Sequence, residues 1–116
     1  GIVYIYSGWK ESTDVKYDYE PTIPESYLLC QNNPNPFNSE TMIKFEIPSK
    51  SDITLSVCNI EGREVVRLLD QQVPSGQYNI IWDGKDKTGQ VVSSGVYFIN
   101  LKSENLNKSI KAILMK

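Results

Sequence analysis

The stretch Trp82-Asp83-Gly84-Lys85-Asp86-Lys87-Thr88-Gly89 carries the sharpest chemical signal in the sequence: two carboxylates three positions apart, flanked by glycines that accept φ > 0. Such a loop can wrap oxygen ligands around calcium. A calcium ion takes about six to eight oxygens, however, and the Asp-x-Asp-x-Asp-Gly spacing with its distal glutamate is missing. The residues read better as a hairpin turn in which Asp83 and Asp86 bond nearby amides while Gly84 and Gly89 take left-handed conformations. No metal site and no cofactor are expected.

Other reactive types are sparse. The chain has no histidine, which removes Ser-His-Asp and Cys-His nucleophile activation and the usual proton carrier near neutral pH. Cys30 and Cys58 cannot supply a four-ligand zinc site alone. They fall on separate predicted strands; paired, they would close a loop of about 28 residues worth roughly 3 kcal/mol. Free thiols are favoured, because Cys58 has the opposite parity to the inward set Ile53, Leu55 and Val57. Carboxylate pairs such as Glu61/Glu64 and Asp14/Asp18 read as solvated charge, with no pocket to perturb them. No catalytic residue is assigned. Tyr4, Tyr6, Trp9, Tyr17, Tyr19 and Tyr27 crowd aromatics into the beginning of the chain. They read as strand core and linker anchors in preference to a sugar-stacking platform.

The elements that would position these residues are short. The chain has 116 residues, with 12 Lys+Arg against 14 Asp+Glu for a net charge of −2, the size of one small domain. Arg63 and Arg67 are the sole arginines, which argues against nucleic acid as a partner. The longest apolar runs, such as Tyr4-Ile5-Tyr6 and Ile80-Ile81-Trp82, fall far short of the roughly 20 residues of a membrane helix. The chain starts at Gly1 without methionine or a signal-like segment, and is read as a fragment whose upstream portion is missing.

Residues 1–6 fit a strand, and an acidic, proline-bearing tether follows. Residues 1–20 are therefore read as a remnant of an upstream domain plus linker, and 21–116 as one domain. Strands are expected at Tyr27–Gln31, Thr41–Ile47, Ile53–Val57, Glu64–Asp70, Gly76–Asp83, Gly95–Lys102 and Ser109–Met115. No segment carries a sustained helical period, so the fold class is all-β, an antiparallel immunoglobulin-like or fibronectin type III-like sandwich of about seven strands. The segment Asn32-Asn33-Pro34-Asn35-Pro36-Phe37-Asn38 reads as a rigid crossing with Phe37 plugging the core. From Lys102 to Lys116, four lysines face Glu104, a local charge of +3 interleaved with Ile110, Ala112, Ile113, Leu114 and Met115. This fits either a lysine-protected edge strand or a terminal address.

The order of these pieces resembles the C-terminal sorting domain of the type IX (Por) secretion system, which is related to the Ig-like domain of flagellar hook-capping proteins. The matching residues run from Leu28 to the chain end. They are Leu29-x-Gln31-Asn32-x-Pro34-Asn35-Pro36-Phe37-Asn38, Thr41-x-Ile43-x-Phe45, Val57-x-Asn59-Ile60-x-Gly62-x-Glu64-Val65, Gly76-x-Tyr78, Trp82-Asp83-Gly84-x-Asp86-x-x-Gly89 and Ser94-Gly95-Val96-Tyr97-Phe98. A lysine-bearing apolar tail follows. Asn33, Cys58 and Ala112 depart from the pattern.

The resemblance implies a non-catalytic domain that directs an upstream passenger across the outer membrane, with secretion machinery and a sortase-like peptidase as partners. The passenger would travel through the periplasm of a Gram-negative-type bacterium to be secreted or held at the cell surface. Lys108, Lys111, Ile113, Leu114, Met115 and Lys116 would carry the recognition. Pro34, Asn35, Pro36, Phe37, Asn59, Gly62, Trp82, Asp83, Gly84, Asp86, Gly89, Gly95 and Tyr97 would form the structural motif. The alternative is a structural or carbohydrate-binding Ig-like module appended to a secreted enzyme. Residues 1–8 resemble the closing strand of an FG-GAP propeller repeat, and residues 1–7 are a candidate for strand-mediated self-association.

Overall fold

Polar and apolar residues alternate in short runs cut by turn residues, and each run forms a strand. The computed structural model describes the backbone of residues 5–7 and, in full, residues 24–104 and 106–116. The strands are β1 (Ile5–Ser7), β2 (Leu28–Leu29), β3 (Thr41–Ile47), β4 (Ser51–Cys58), β5 (Glu64–Val73), β6 (Gly76–Trp82), β7 (Gly95–Ser103) and β8 (Leu106–Leu114). They form two four-stranded sheets, ordered β1-β6-β3-β2 and β5-β4-β7-β8, with every strand pairing antiparallel. No helix occurs among the described residues. The expected sandwich is thus observed. The linker of residues 8–23, with Trp9, Tyr17, Tyr19, Asp14 and Asp18, lies outside the described residues.

Period-two alternation decides which side chains fill the space between the sheets. Ile43, Phe45 and Ile47 of β3 and Tyr78, Ile80 and Trp82 of β6 face Ile53, Leu55 and Val57 of β4 and Tyr97, Ile99 and Leu101 of β7, all of them buried. Each such side chain contributes roughly 1.5–3 kcal/mol by leaving water. Two buried tyrosines also satisfy their hydroxyls locally. The Tyr78 hydroxyl donates to the Pro74 carbonyl at 2.6 Å, and the Tyr97 hydroxyl to the Ser93 carbonyl at 2.6 Å. Both reach back four residues, the geometry of a tyrosine corner.

Strand β5 departs from expectation. It is longer than Glu64–Asp70, and both Leu68 and Leu69 are buried. The register with β4 shifts between Leu55 and Ser56 and again between Val57 and Cys58, so β5 carries extra residues that break strict alternation. The hairpin between these strands closes on Asn59. Its side-chain oxygen accepts from the amides of Glu61 and Arg63 at 2.9 and 3.0 Å, and Gly62 takes φ +85°.

Two further expectations change. The strand predicted over Tyr27–Gln31 shortens to Leu28–Leu29, because the chain beyond it pairs only at isolated points. Cys30 N–H donates to the Lys44 carbonyl, and Asn33 exchanges two bonds with Met42. The last strand begins at Leu106 instead of Ser109, since the β7–β8 hairpin pairs right up to Ser103↔Leu106. Strand β1 lies on β6 of its own chain, with Tyr6 opposite Asn79.

Candidate functional site

The end of the chain is held by the segment that precedes the first long strand. Phe37 N–H donates to the Ile113 carbonyl at 2.9 Å, and the Met115 N–H donates to the Phe37 carbonyl at 2.8 Å. Phe37 and Leu114 thereby form a parallel bridge. Asn35 adds a side-chain clamp: its Oδ1 accepts from the Ile113 N–H at 2.9 Å and its Nδ2 donates to the Lys111 carbonyl at 3.4 Å. Gln31 Nε2 donates to that same carbonyl at 2.7 Å.

The clamp is itself braced. The Asn33–Pro34 and Asn35–Pro36 peptide bonds are cis. Buried Asn32 donates from Nδ2 to Thr41 Oγ1 at 2.9 Å and to the Pro34 carbonyl at 3.2 Å, and Thr41 donates to that carbonyl at 2.8 Å. Gln31, Asn32 and Thr41 were not among the site residues expected from sequence. For Gln31 and Asn32 the signal was the polar run directly ahead of Pro34, whose role depends on which distant backbone it faces; Thr41 reads only as the first residue of its strand.

The Phe37 ring continues the grip into the core. It lies 5.4 Å from the Trp82 ring, which lies 5.4 Å from Tyr97 at 71°. Trp82 is fully buried and donates from Nε1 to the Lys85 carbonyl at 3.0 Å. Gly84 follows with φ +74°; a Cβ there would lie 3.4 Å from the Ser39 carbonyl oxygen and about 4 Å from Phe37 and Leu114. The Trp-Asp-Gly unit therefore abuts both partners of the clamp. Gly95 opens β7 opposite Leu114.

The carboxylates of this unit serve the turn. Asp86 Oδ1 accepts from the Thr88 hydroxyl at 2.6 Å, the Thr88 amide at 2.9 Å and the Gln90 amide at 3.0 Å. The Thr88 hydroxyl above all, then the Gln90 amide, hold the Asp86 carboxyl below its ordinary range. Asp83 Oδ1 accepts from the Lys85 amide at 3.2 Å, and Gly89 takes φ +88°. Among the described residues no three His, Cys, Asp or Glu side chains cluster to hold a metal. The bonds of Asp83 and Asp86 match the turn reading.

The six residues expected to carry recognition divide by exposure. Lys108, Lys111 and Lys116 are exposed, as is Met115, and Ile113 is half-buried. Leu114, by contrast, is 1% exposed, with Ala112 fully buried beside it. In the folded domain Leu114 is part of the core. The Lys116 amide donates to Ser94 Oγ at 3.1 Å, tying down the last residue.

Elsewhere, Cys30 and Cys58 are both free thiols. Cys58 lies on the outward face as its parity predicts, where Asn100 Nδ2 donates to its sulfur at 3.3 Å. Glu64 is bound at 3.1 Å by Arg67, which also holds Asp70 at 3.1 Å. Glu64, then Asp70, push the guanidinium further above its usual range. Tyr27, the last of the crowded aromatics, spends its hydroxyl on Ser51 Oγ at 2.8 Å.

Two layers of antiparallel strands, tyrosine corners and a core tryptophan define the class of immunoglobulin-like β-sandwich domains. Within it, residues 32–107 match the FlgD Ig-like domain, and the chain belongs to that family. Among nine matching chains of solved structures, FlgD from P. aeruginosa superposes with a TM-score of 0.52 at 18% identity. The match covers 75% of this chain and 70% of that one, and it shows a shared fold. No curated protein matches the sequence.

Proposed function

We propose that this Ig-like domain is a non-catalytic C-terminal sorting domain that directs an attached passenger across an outer membrane to the cell surface. The observation that supports the reading is the clamped, lysine-bearing segment Lys108–Lys116. Lys108 and Lys111 are exposed on β8, and Met115 and Lys116 are exposed just beyond it, where Asn35 and Phe37 clamp the chain, so the address is presented in one defined shape. Secretion machinery and a sortase-like peptidase are the partners this reading requires.

The test fuses residues 21–116 to a periplasmic reporter in a host that has the type IX system. Removing Ile110–Lys116 would delete Ala112 and Leu114 from the core, so the informative variant is Lys108→Glu/Lys111→Glu/Lys116→Glu, which leaves the core intact. Loss of surface display with the fold retained supports the reading; display that survives deletion of the whole domain sinks it.

Membership in the FlgD Ig-like family favours a second reading, a structural module in a flagellar hook-capping assembly. This reading does not require Lys116 to end the parent chain, whereas the sorting reading does. Sequencing the full gene separates them.

A further inference from the structure

The outer edge of β8 is occupied only in part. The groups that meet the clamp are the Lys111 carbonyl, the Ile113 amide and carbonyl, and the Met115 amide. All belong to odd-numbered residues, so by the period of an antiparallel strand the outward groups further back are those of Asn107 and Ser109 and the Lys111 amide. Among the described residues no segment pairs with that stretch.

The two faces beside this unpaired edge, which β2 of the other sheet approaches, differ. On the core side, Leu106 and Ile110 are half-buried hydrophobics packed against the core, and a neighbouring apolar side chain would extend their burial. On the outer side, Lys111 is exposed, with Lys102 of β7 on the same face. Lys108 is exposed between Leu106 and Ile110. The region from Lys102 to Lys116 carries +3 on a chain of net charge −2. Lysines on an edge discourage pairing with a second copy of the same edge, because like charges would lie across from each other. Toward a carboxylate-bearing strand the same lysines are attractive.

We propose that the Asn107–Lys111 edge of β8 is a strand-addition site for an extended segment of another protein that alternates apolar and acidic residues. The occupant runs alongside β8 next to the place already taken by Asn35–Phe37. Its apolar residues lie beside Leu106 and Ile110, and its carboxylates beside Lys111 and Lys102. The site does not depend on the export reading, since it rests on the edge and its charge alone.

The probe is the blocked heptapeptide Val-Glu-Val-Glu-Val-Glu-Val, titrated into the isotope-labelled full chain, with the lysine counterpart Val-Lys-Val-Lys-Val-Lys-Val as control. Amide shifts centred on Asn107, Ser109 and Lys111, saturating for the acidic peptide and at least tenfold weaker for the basic one, are expected. Lys102→Glu/Lys111→Glu should reverse that preference. Ser109→Pro, which removes an outward N–H at a position where an edge strand accepts proline, should abolish binding while the spectrum stays dispersed. Shifts centred on β6 or β2, equal response to both peptides, full binding by the proline variant, or no saturable response would each overturn the proposal. Concentration-dependent shifts of the same three amides without peptide would assign the edge to a second copy and overturn it as well.

Discussion

Phe37 and Leu114, far apart in the sequence, form a parallel bridge, with the Phe37 amide and carbonyl bonded to Ile113 and Met115. The bridge joins backbone pairing to core packing, because both side chains are buried at 3% and 1% exposure.

Truncating either partner should therefore cost more than an ordinary surface change. Phe37→Ala removes the ring that meets Trp82 and leaves a cavity, for an expected loss of about 3–5 kcal/mol in urea unfolding. A loss below about 1 kcal/mol would contradict the packing described.

Two glycines in left-handed turns separate strain from crowding. Gly62→Ala meets nothing within 4 Å and should cost about 1–2 kcal/mol from its backbone conformation alone. Gly84→Ala carries the same strain and also presses a methyl to 3.4 Å from the Ser39 carbonyl, so its loss should be the larger of the two. Equal midpoint shifts would show that the Ser39 loop yields freely.

Acid should act through Asp86. Its folded-state affinity for protons is lowered, so its contribution is present above the unfolded value near ~3.9 and is lost as pH falls through the lower folded value. Asp86→Asn keeps an acceptor for the Thr88 and Gln90 amides but cannot titrate. Urea midpoints of the parent, relative to this variant, should fall as the pH drops below about 4.

Base should act through Tyr78. Burial raises its hydroxyl above the ordinary value of 10.0, so the folded state retains the proton where the unfolded chain has released it. Stability is full below that value and declines as pH rises through the folded one. Tyr78→Phe should remove this alkaline limb and cost about 1 kcal/mol near neutrality, from the lost bond to the Pro74 carbonyl.

The sandwich was legible wherever a strand keeps strict alternation. Ile43-x-Phe45-x-Ile47 and Tyr97-x-Ile99-x-Leu101 announce their inward faces because each strand is regular across its core. Strand β5 hid its pattern because bulges re-phase Leu68 against Leu69, and a bulge is decided by the partner strand. Asp83, Asp86, Gly84 and Gly89 were readable as a turn, since Asx bonds and positive φ are local matters. The hold of Asn35 on Ile113 was not, because it joins a side chain to backbone groups, which carry no residue-specific mark.

The parallel arrangement of Asn35–Phe37 and β8 also sets how the domain bears load. Tension applied between the linker side, ahead of β2, and Lys116 pulls these two adjacent segments past each other along their length. The Phe37–Ile113, Met115–Phe37 and Ile113–Asn35 bonds then share the force together, in shear, instead of opening one after another like a zipper.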